Sequence, residues 1–248
     1  MITADAVLSI WHDIEPSAQD AYLEWHTLEH MPERASIDGF VRGRRGVALD
    51  PAQSPKYLTL YEAREAEIFR STQYLERLDN PTPWTQRIQP SFQNFVRYAN
   101  VPALQKGFGD GAFVTTARIE AVGDATATFA QLEARLRALV DELGELPKVS
   151  SVFLGESRDE ITDYKTEEAE LRPVNPELDG VRHLAVIFVD TLTADAAGPV
   201  REKIEALAAE LGDARIGHCS TFLVDYMVDE THVTRTPFDA DAIERRSK

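Results

Sequence analysis

Apolar residues recur along the chain with two periods, one suited to strands and one to helices. Residues 6–14, AVLSIWHDI, are a short apolar run and predict a strand. Pro16 and Ser17 then open a helix, on which Ala18, Ala21, Tyr22, Trp25, Leu28 and Glu29 fall on one face. Pro32 lacks the N–H that the next helical turn needs, so it predicts a kink or an end. Gly39 begins a second strand, 40–49, closed by the turn residues Asp50-Pro51-Ala52-Gln53-Ser54-Pro55. A third strand follows at 56–63 and a helix at about 65–79. The breaker Asn80-Pro81-Thr82-Pro83 ends that helix, and 92–99 reads as a fourth strand.

The second half repeats the order. It has strand 112–120, then helix 126–143 with Phe129, Leu132, Leu136, Leu139 and Leu143 near one face. Strand 148–155, an acidic excursion at 156–180 and strand 181–190 come next. Helix 194–211, with Ile204, Leu207 and Leu211, and strand 216–228 complete it. Each half therefore reads β-α-β-β-α-β, the split-βαβ motif of ferredoxin-like units. The expected fold is α+β. Two ferredoxin-like units are fused in one chain, and their antiparallel sheets bury each other's apolar faces as an intramolecular α/β barrel. The expected units are 1–103 and 112–231, separated by a loop at Val101–Gly111, with 232–248 as a loosely attached arm.

Composition narrows the function. The 248 residues include 26 Lys and Arg against 42 Asp and Glu, a net charge of −16. Nucleic acid and anionic membrane, which need a basic surface, are not expected as partners. A single cysteine, Cys219, excludes an internal disulfide and cysteine-based zinc or iron–sulfur sites. The N-terminus shows no secretory pattern and no apolar run is long enough to span a bilayer, so a cytoplasmic protein is expected. Nucleotide-phosphate glycine motifs and the Gly-x-Ser-x-Gly elbow are absent from the sequence.

One segment carries a resemblance. Trp25-His26-Thr27-Leu28-Glu29-His30-Met31-Pro32-Glu33-Arg34, followed by Gly39-Phe40-Val41-Arg42-Gly43-Arg44-Arg45, resembles the helix-then-strand signature of the dimeric α/β-barrel superfamily, and of its small EthD-like members. Helix 126–143 lacks this signature, so the resemblance implies one functional half and one structural half. The superfamily includes monooxygenases, isomerases, cyclases, lyases, haem enzymes and members without assigned activity, so the fold alone does not fix the reaction.

The residues of the motif suggest chemistry on their own. Glu29, on the apolar stripe one turn after Trp25, must be paired, hydrogen-bonded or held neutral; it is either an acid or base, or an ion-pair partner of Arg42, Arg44 or Arg45. His26 and His30 share a helix face at the edge of that stripe, and His30 precedes the Pro32 break. Neutral imidazole there can serve as a general base. His-x-x-x-His alone does not make a metal site, and no metal is expected. His12, on the face of its strand shared with Leu8, Ile10 and Ile14, is the third candidate. Arg42 and Arg44 share one face of strand 40–49 and could clamp a carboxylate, phenolate or enolate; Arg45 is on the other. Tyr57, Tyr61 and Trp25 could line an aromatic-sized pocket. His183 and His218 sit on apolar strands and read as structural.

The expectation is a cofactor-independent enzyme acting by proton transfer on a small aromatic or polyketide-like organic acid or phenol, as an isomerase, cyclase, lyase or monooxygenase. His30 is base, Glu29 and His12 assist, and Trp25, His26, Arg42, Arg44, Tyr57 and Tyr61 bind substrate. The alternatives are a non-catalytic binding or accessory protein of the same fold and, third, a haem binder. Because the chain supplies both halves of its barrel, a monomer or loose homodimer is expected.

Overall fold

The computed structural model describes residue 2 and residues 4–235. Eight strands close into an antiparallel barrel: β1 (Ala6–Ile14), β2 (Phe40–Ala48), β3 (Tyr57–Ala63), β4 (Phe92–Gly107), β5 (Phe113–Val122), β6 (Val149–Ser157), β7 (Val181–Thr191) and β8 (Ala214–Asp229). Around the ring the order is β1-β3-β2-β8-β5-β7-β6-β4. It divides into β4-β1-β3-β2 and β8-β5-β7-β6, the same ferredoxin-like order twice, joined through β2–β8 and β4–β6. The α+β class and the closed barrel agree with the expectation.

Strand alternation makes two cores. Val7 and Trp11 of β1, Leu58 and Leu60 of β3, Val96 and Tyr98 of β4, and Val114, Phe153, Val186, Phe188 and Phe222 from the other half fill the lumen. Leu8, Tyr61, Ala63 and Ala99 face outward against the helices of the first half. β3 has no solvent side and is buried at every position.

The helices are α1 (Gln19–Trp25), α2 (Met31–Ala35), α3 (Thr72–Asp79), α4 (Pro83–Ile88), α5 (Phe129–Gly144), the short α6 (Asp159–Thr162) and α7 (Glu167–Glu170), α8 (Ala197–Ala206) and α9 (Glu230–Arg235). Three features depart from the sequence reading. Residues 101–107 are not loop: they continue β4 and pair with β6, Val101 opposite Glu156 and Gly107 opposite Ser151. The Asn80–Pro83 breaker also starts a helix, α4, whose N-cap Thr82 accepts the Thr85 N–H with Pro83 at the first turn. The excursion 156–180 is ordered by α6 and α7, and the Thr166 side chain caps α7. The expected arm at 232–248 begins inside α9, and from residue 236 onward lies outside the described residues.

Between α1 and α2, residues His26–His30 form a π-turn. The Met31 N–H bonds the His26 carbonyl, one residue further back than in an α-helix. The carbonyl of Thr27 is thereby released, and the Tyr226 hydroxyl donates to it at 3.1 Å. Pro32 therefore does not end the helix. It stands in the first turn of α2, where a missing N–H is tolerated.

Candidate active site

The π-turn aims two imidazoles at the outward face of the first-half sheet. The rings of His26 and His30 stack with centroids 5.6 Å apart, His30 lies 4.4 Å from the Trp25 ring and His26 lies 5.0 Å from Tyr22. Both are buried, and the Nδ1 atom of each lacks a hydrogen-bond partner. Opposite them, β3 contributes Thr59 and Tyr61, whose hydroxyls are also buried and unpartnered. These four residues line one enclosed cavity of about 30 Å³, shared with Ile10, His12, Arg34, Arg97, Glu168 and Arg172. That volume holds one or two waters. Native proteins rarely bury unpaired polar atoms, because each costs about 1–3 kcal/mol. Four in one cavity mark a place made for a polar occupant.

Burial pushes both imidazoles well below the usual histidine range, helped for His30 by Arg34 and Arg172, and for His26 by His30 and Arg45. Both are neutral at neutral pH. His12 also lines the cavity, but its nitrogens are engaged: Nε2 meets the Tyr22 hydroxyl at 3.1 Å and Nδ1 lies 3.3 Å from the Asp13 carbonyl. Burial lowers it to about 3.

The cationic wall comes from residues the sequence did not single out as a clamp. Arg34 of α2 donates to Glu33 at 2.7 Å and to Glu168 of α7 at 2.6 Å. Arg172 donates to Glu168 at 3.0 Å and Gln89 at 3.1 Å, and stacks 4.2 Å over Phe95. Arg97 of β4 donates to the hydroxyls of Tyr74 and Tyr164, both neutral partners. Three guanidinium groups thus stand against the carboxylates of Glu33 and Glu168, which favours an anion. Arg172, Phe95 and Arg97 also line an outer cleft of about 720 Å³ with Pro173–Pro176, Leu178 and Asp179.

Several expected positions lie elsewhere. The Glu29 carboxylate meets neither an arginine nor a histidine. Its Oε1 accepts from Trp25 Nε1 at 3.1 Å, Thr82 Oγ1 at 2.6 Å and Thr85 Oγ1 at 3.1 Å, fastening the π-turn to α4. Trp25 is part of that fastening and supports His30 from behind. Arg42 and Arg44 are on the inward face of β2. Arg42 pairs with Glu62 at 2.6 Å and Asp110 at 2.8 Å, and Arg44 with Asp190 at 2.9 Å. They form an ionic plug at one end of the lumen, away from the cavity. Tyr57 stacks 5.5 Å from His12 without lining the cavity, whereas Tyr61 does line it. Of the expected set, His12, His26, His30 and Tyr61 line the cavity, Trp25 and Tyr57 pack against these histidines without lining it, and Glu29, Arg42 and Arg44 have their partners elsewhere. Local signals for Arg97 and Arg172 do not exist: they reach the cavity through β4 and a segment 142 residues after His30 in sequence, 172 − 30.

Among the described residues no group of three or more His, Cys, Asp or Glu is placed to hold a metal ion, and no helix is long and apolar enough to cross a membrane. The residues do not fit a haem either. The histidine cavity is far too small, and the matching space under α5 and α8 is filled by Ala, Leu, Val and Ile, with no histidine in that core.

No protein-family profile and no curated protein matches the chain at a significant level. Solved structures do. One described as an anthrone oxidase-like protein is 14% identical, matches 91% of this chain and 92% of its own, and gives a TM-score of 0.60. A chlorite dismutase variant from Candidatus Nitrospira defluvii is 9% identical, matches 90% of this chain and 92% of its own, with a TM-score of 0.53. A protein named as a monooxygenase candidate from Fusobacterium nucleatum is 9% identical, matches 92% of this chain and 96% of its own, with a TM-score of 0.51. At these identities the likeness is one of architecture: the chain shares with these structures a closed eight-stranded α/β barrel.

Proposed function

We propose that the chain is an enzyme that removes a proton from a small aromatic or polyketide-like acid or phenol, in the cavity beneath the π-turn. The observation that carries this reading is the group of four unpartnered buried atoms, His26 Nδ1, His30 Nδ1, Thr59 Oγ1 and Tyr61 Oη, facing a cavity with an arginine-rich wall. His30 is the base, and His26, Thr59 and Tyr61 orient the substrate oxygen. Arg34, Arg97 and Arg172 hold the anion that forms. His30 is a weak base in the closed cavity because burial and two guanidinium groups disfavour its cation. An enolate or phenolate beside it offsets those charges, so its basicity rises when substrate is bound. A substrate larger than two waters reaches the cavity from the outer cleft, with the Arg172 contacts to Glu168 and Gln89 giving way. The first half, of EthD-like ancestry, supplies the site, and the second half of the fused pair closes the barrel as its structural partner, so the chain works as a monomer or loose dimer without a resident cofactor. Neighbours named as an anthrone oxidase-like protein and a monooxygenase candidate support small-molecule chemistry at the level of the fold.

Deuterium exchange into the acidic C–H of a panel of phenols and 1,3-dicarbonyl acids, followed by NMR in D₂O, tests the reading. Exchange that needs His30 supports it. Compounds that bind without exchange above the buffer rate would sink it and favour the second reading, a non-catalytic binding protein.

A further inference from the structure

The geometry points to a second ligand site, for a small oxyanion, at the end of the barrel lumen opposite the Arg42–Arg44 plug, where Arg118 is the anchoring residue. On β5 the inward positions run Val114, Thr116, Arg118 and Glu120: Val114 is in the lumen core and Thr116 accepts the Trp11 indole N–H at 3.1 Å. Arg118 therefore projects into the lumen, its guanidinium 5.5 Å above the Trp11 ring. Pairing places His218 of β8 beside Arg118 and His183 of β7 beside Glu120.

These groups are under-satisfied. Arg118 Nε and Nη1, Glu120 Oε1, His183 Nδ1, His218 Nε2 and the Tyr98 hydroxyl are buried without hydrogen-bond partners. The Arg118 side chain is only 9% exposed, and its one close carboxylate, Glu120, stands 3.3 Å from Nε without forming a hydrogen bond. The other Glu120 oxygen is already held by Arg215 at 3.1 Å. Position 217 must be glycine for this to exist, since a Cβ there would lie 1.9 Å from Glu120 Oε2. A cavity of about 200 Å³ opens onto Arg118, Glu120, Glu177, Arg215 and His218, and Ser54 and Asn94 also line it. It shares no lining residue with the histidine cavity.

A buried guanidinium with free donors, beside a neutral imidazole and a half-exposed second arginine, is a recognition unit for a carboxylate or phosphate oxygen pair. The positive charge of Arg118 is felt by its neighbours. After burial, it is the main cause that lowers His183 to about 3 and His218 to about 4. An oxyanion bound between Arg118 and His218 adds negative charge beside the guanidinium and gives Arg118 Nη1 and His218 Nε2 a partner.

The test follows the His218 ring resonance by NMR while the full chain is titrated with malonate and, separately, inorganic phosphate. The charged groups around His218 are Arg118, Arg215, Glu120, Glu177 and Asp13. The expected result is a saturable shift of His218, with its midpoint moving upward from about 4, while His26 and His30 stay unmoved. Saturation by malonate alone assigns a carboxylate, and saturation by phosphate alone assigns a phosphate. Arg118→Gln should abolish the response. Should that variant not fold, Arg215→Gln, at the exposed rim, should weaken it several-fold. No saturable shift with either anion, or an undiminished shift in Arg118→Gln, overturns the site and leaves the cavity to water.

Discussion

The two halves of the barrel share one topology and use the space between sheet and helices in opposite ways. Under α5 and α8 that space is closed by Leu132, Leu136, Val140, Leu143, Val200 and Ile204 against Ala117, Ile119, Val152 and Ile187. Under the π-turn it is closed by imidazoles, hydroxyls and guanidinium groups around a gap. The first arrangement spends each buried position on packing. The second buries the titratable groups His12, His26, His30, Arg34, Tyr61, Tyr74 and Glu168, at a cost in stability, and leaves polar atoms unpaired. A barrel closed by its own second half can carry that cost. The comparison separates a half whose sheet-to-helix space is packed by aliphatic side chains from a half that gathers polar ones around a gap.

The contrast breaks first at His30 and Leu136. His30→Ala should lower the exchange rate by roughly 10²–10⁴-fold, with a thermal midpoint close to that of the parent. Leu136→Ala, at a fully buried site of α5, should cost about 2–5 kcal/mol of stability while turnover per folded molecule is kept. Paired denaturant unfolding and exchange assays check both. Should the two variants exchange their effects, the division of labour between the halves is wrong.

The fold was legible because both periodicities and their order are local. The alternation of β1 already separates Trp11, in the lumen, from Ile10 and His12, under the helices. The histidine pair was legible because residues four apart on a helix share a face, and the π-turn keeps them adjacent. The arginines were not. Alternation puts Arg42 and Arg44 on one face of β2, but only barrel closure decides that this face is the lumen, where Glu62 and Asp190 await them. The anion wall instead needs α7 folded over β4, a contact no local pattern encodes. Glu29 was read as an acid or an ion-pair partner because α4 was missed, and α4 supplies the two threonines that solvate it. Thr82-Pro83 is an N-cap followed by a first-turn proline, so that signal was present in the sequence.

Acid sharpens the comparison next. Burial depresses His12, His26 and His30 in the first half, all below the 6.5 of an unfolded chain. Below that value the unfolded state binds the protons that the folded state refuses. Stability from these groups is therefore fully present above about pH 6.5 and is lost as pH falls, by about 1.4 kcal/mol per pH unit for each histidine. Replacing His26 and His30 together by Gln should remove about two protons from the uptake on unfolding near pH 5.5, measured from the pH dependence of urea unfolding. An unchanged slope would mean that the pair is already protonated in the folded chain, and a protonated His30 is no base.

The smallest expected effect distinguishes the two arginine groups. Arg97 faces the cavity with hydroxyl partners, so Arg97→Lys removes a planar fork while keeping the charge. Affinity for an anionic ligand should fall about tenfold, near 1.4 kcal/mol, and that for a neutral analogue should change much less. Arg44 is occupied by Asp190 and lies at the lumen end, so Arg44→Lys should leave both affinities unchanged and shift only the unfolding midpoint. Calorimetric titration of a phenolate and its methyl ether against both variants makes the comparison direct. If Arg44→Lys weakened the phenolate and Arg97→Lys did not, the anion would bind at the lumen plug, and the cavity beneath the π-turn would lose its claim to the substrate.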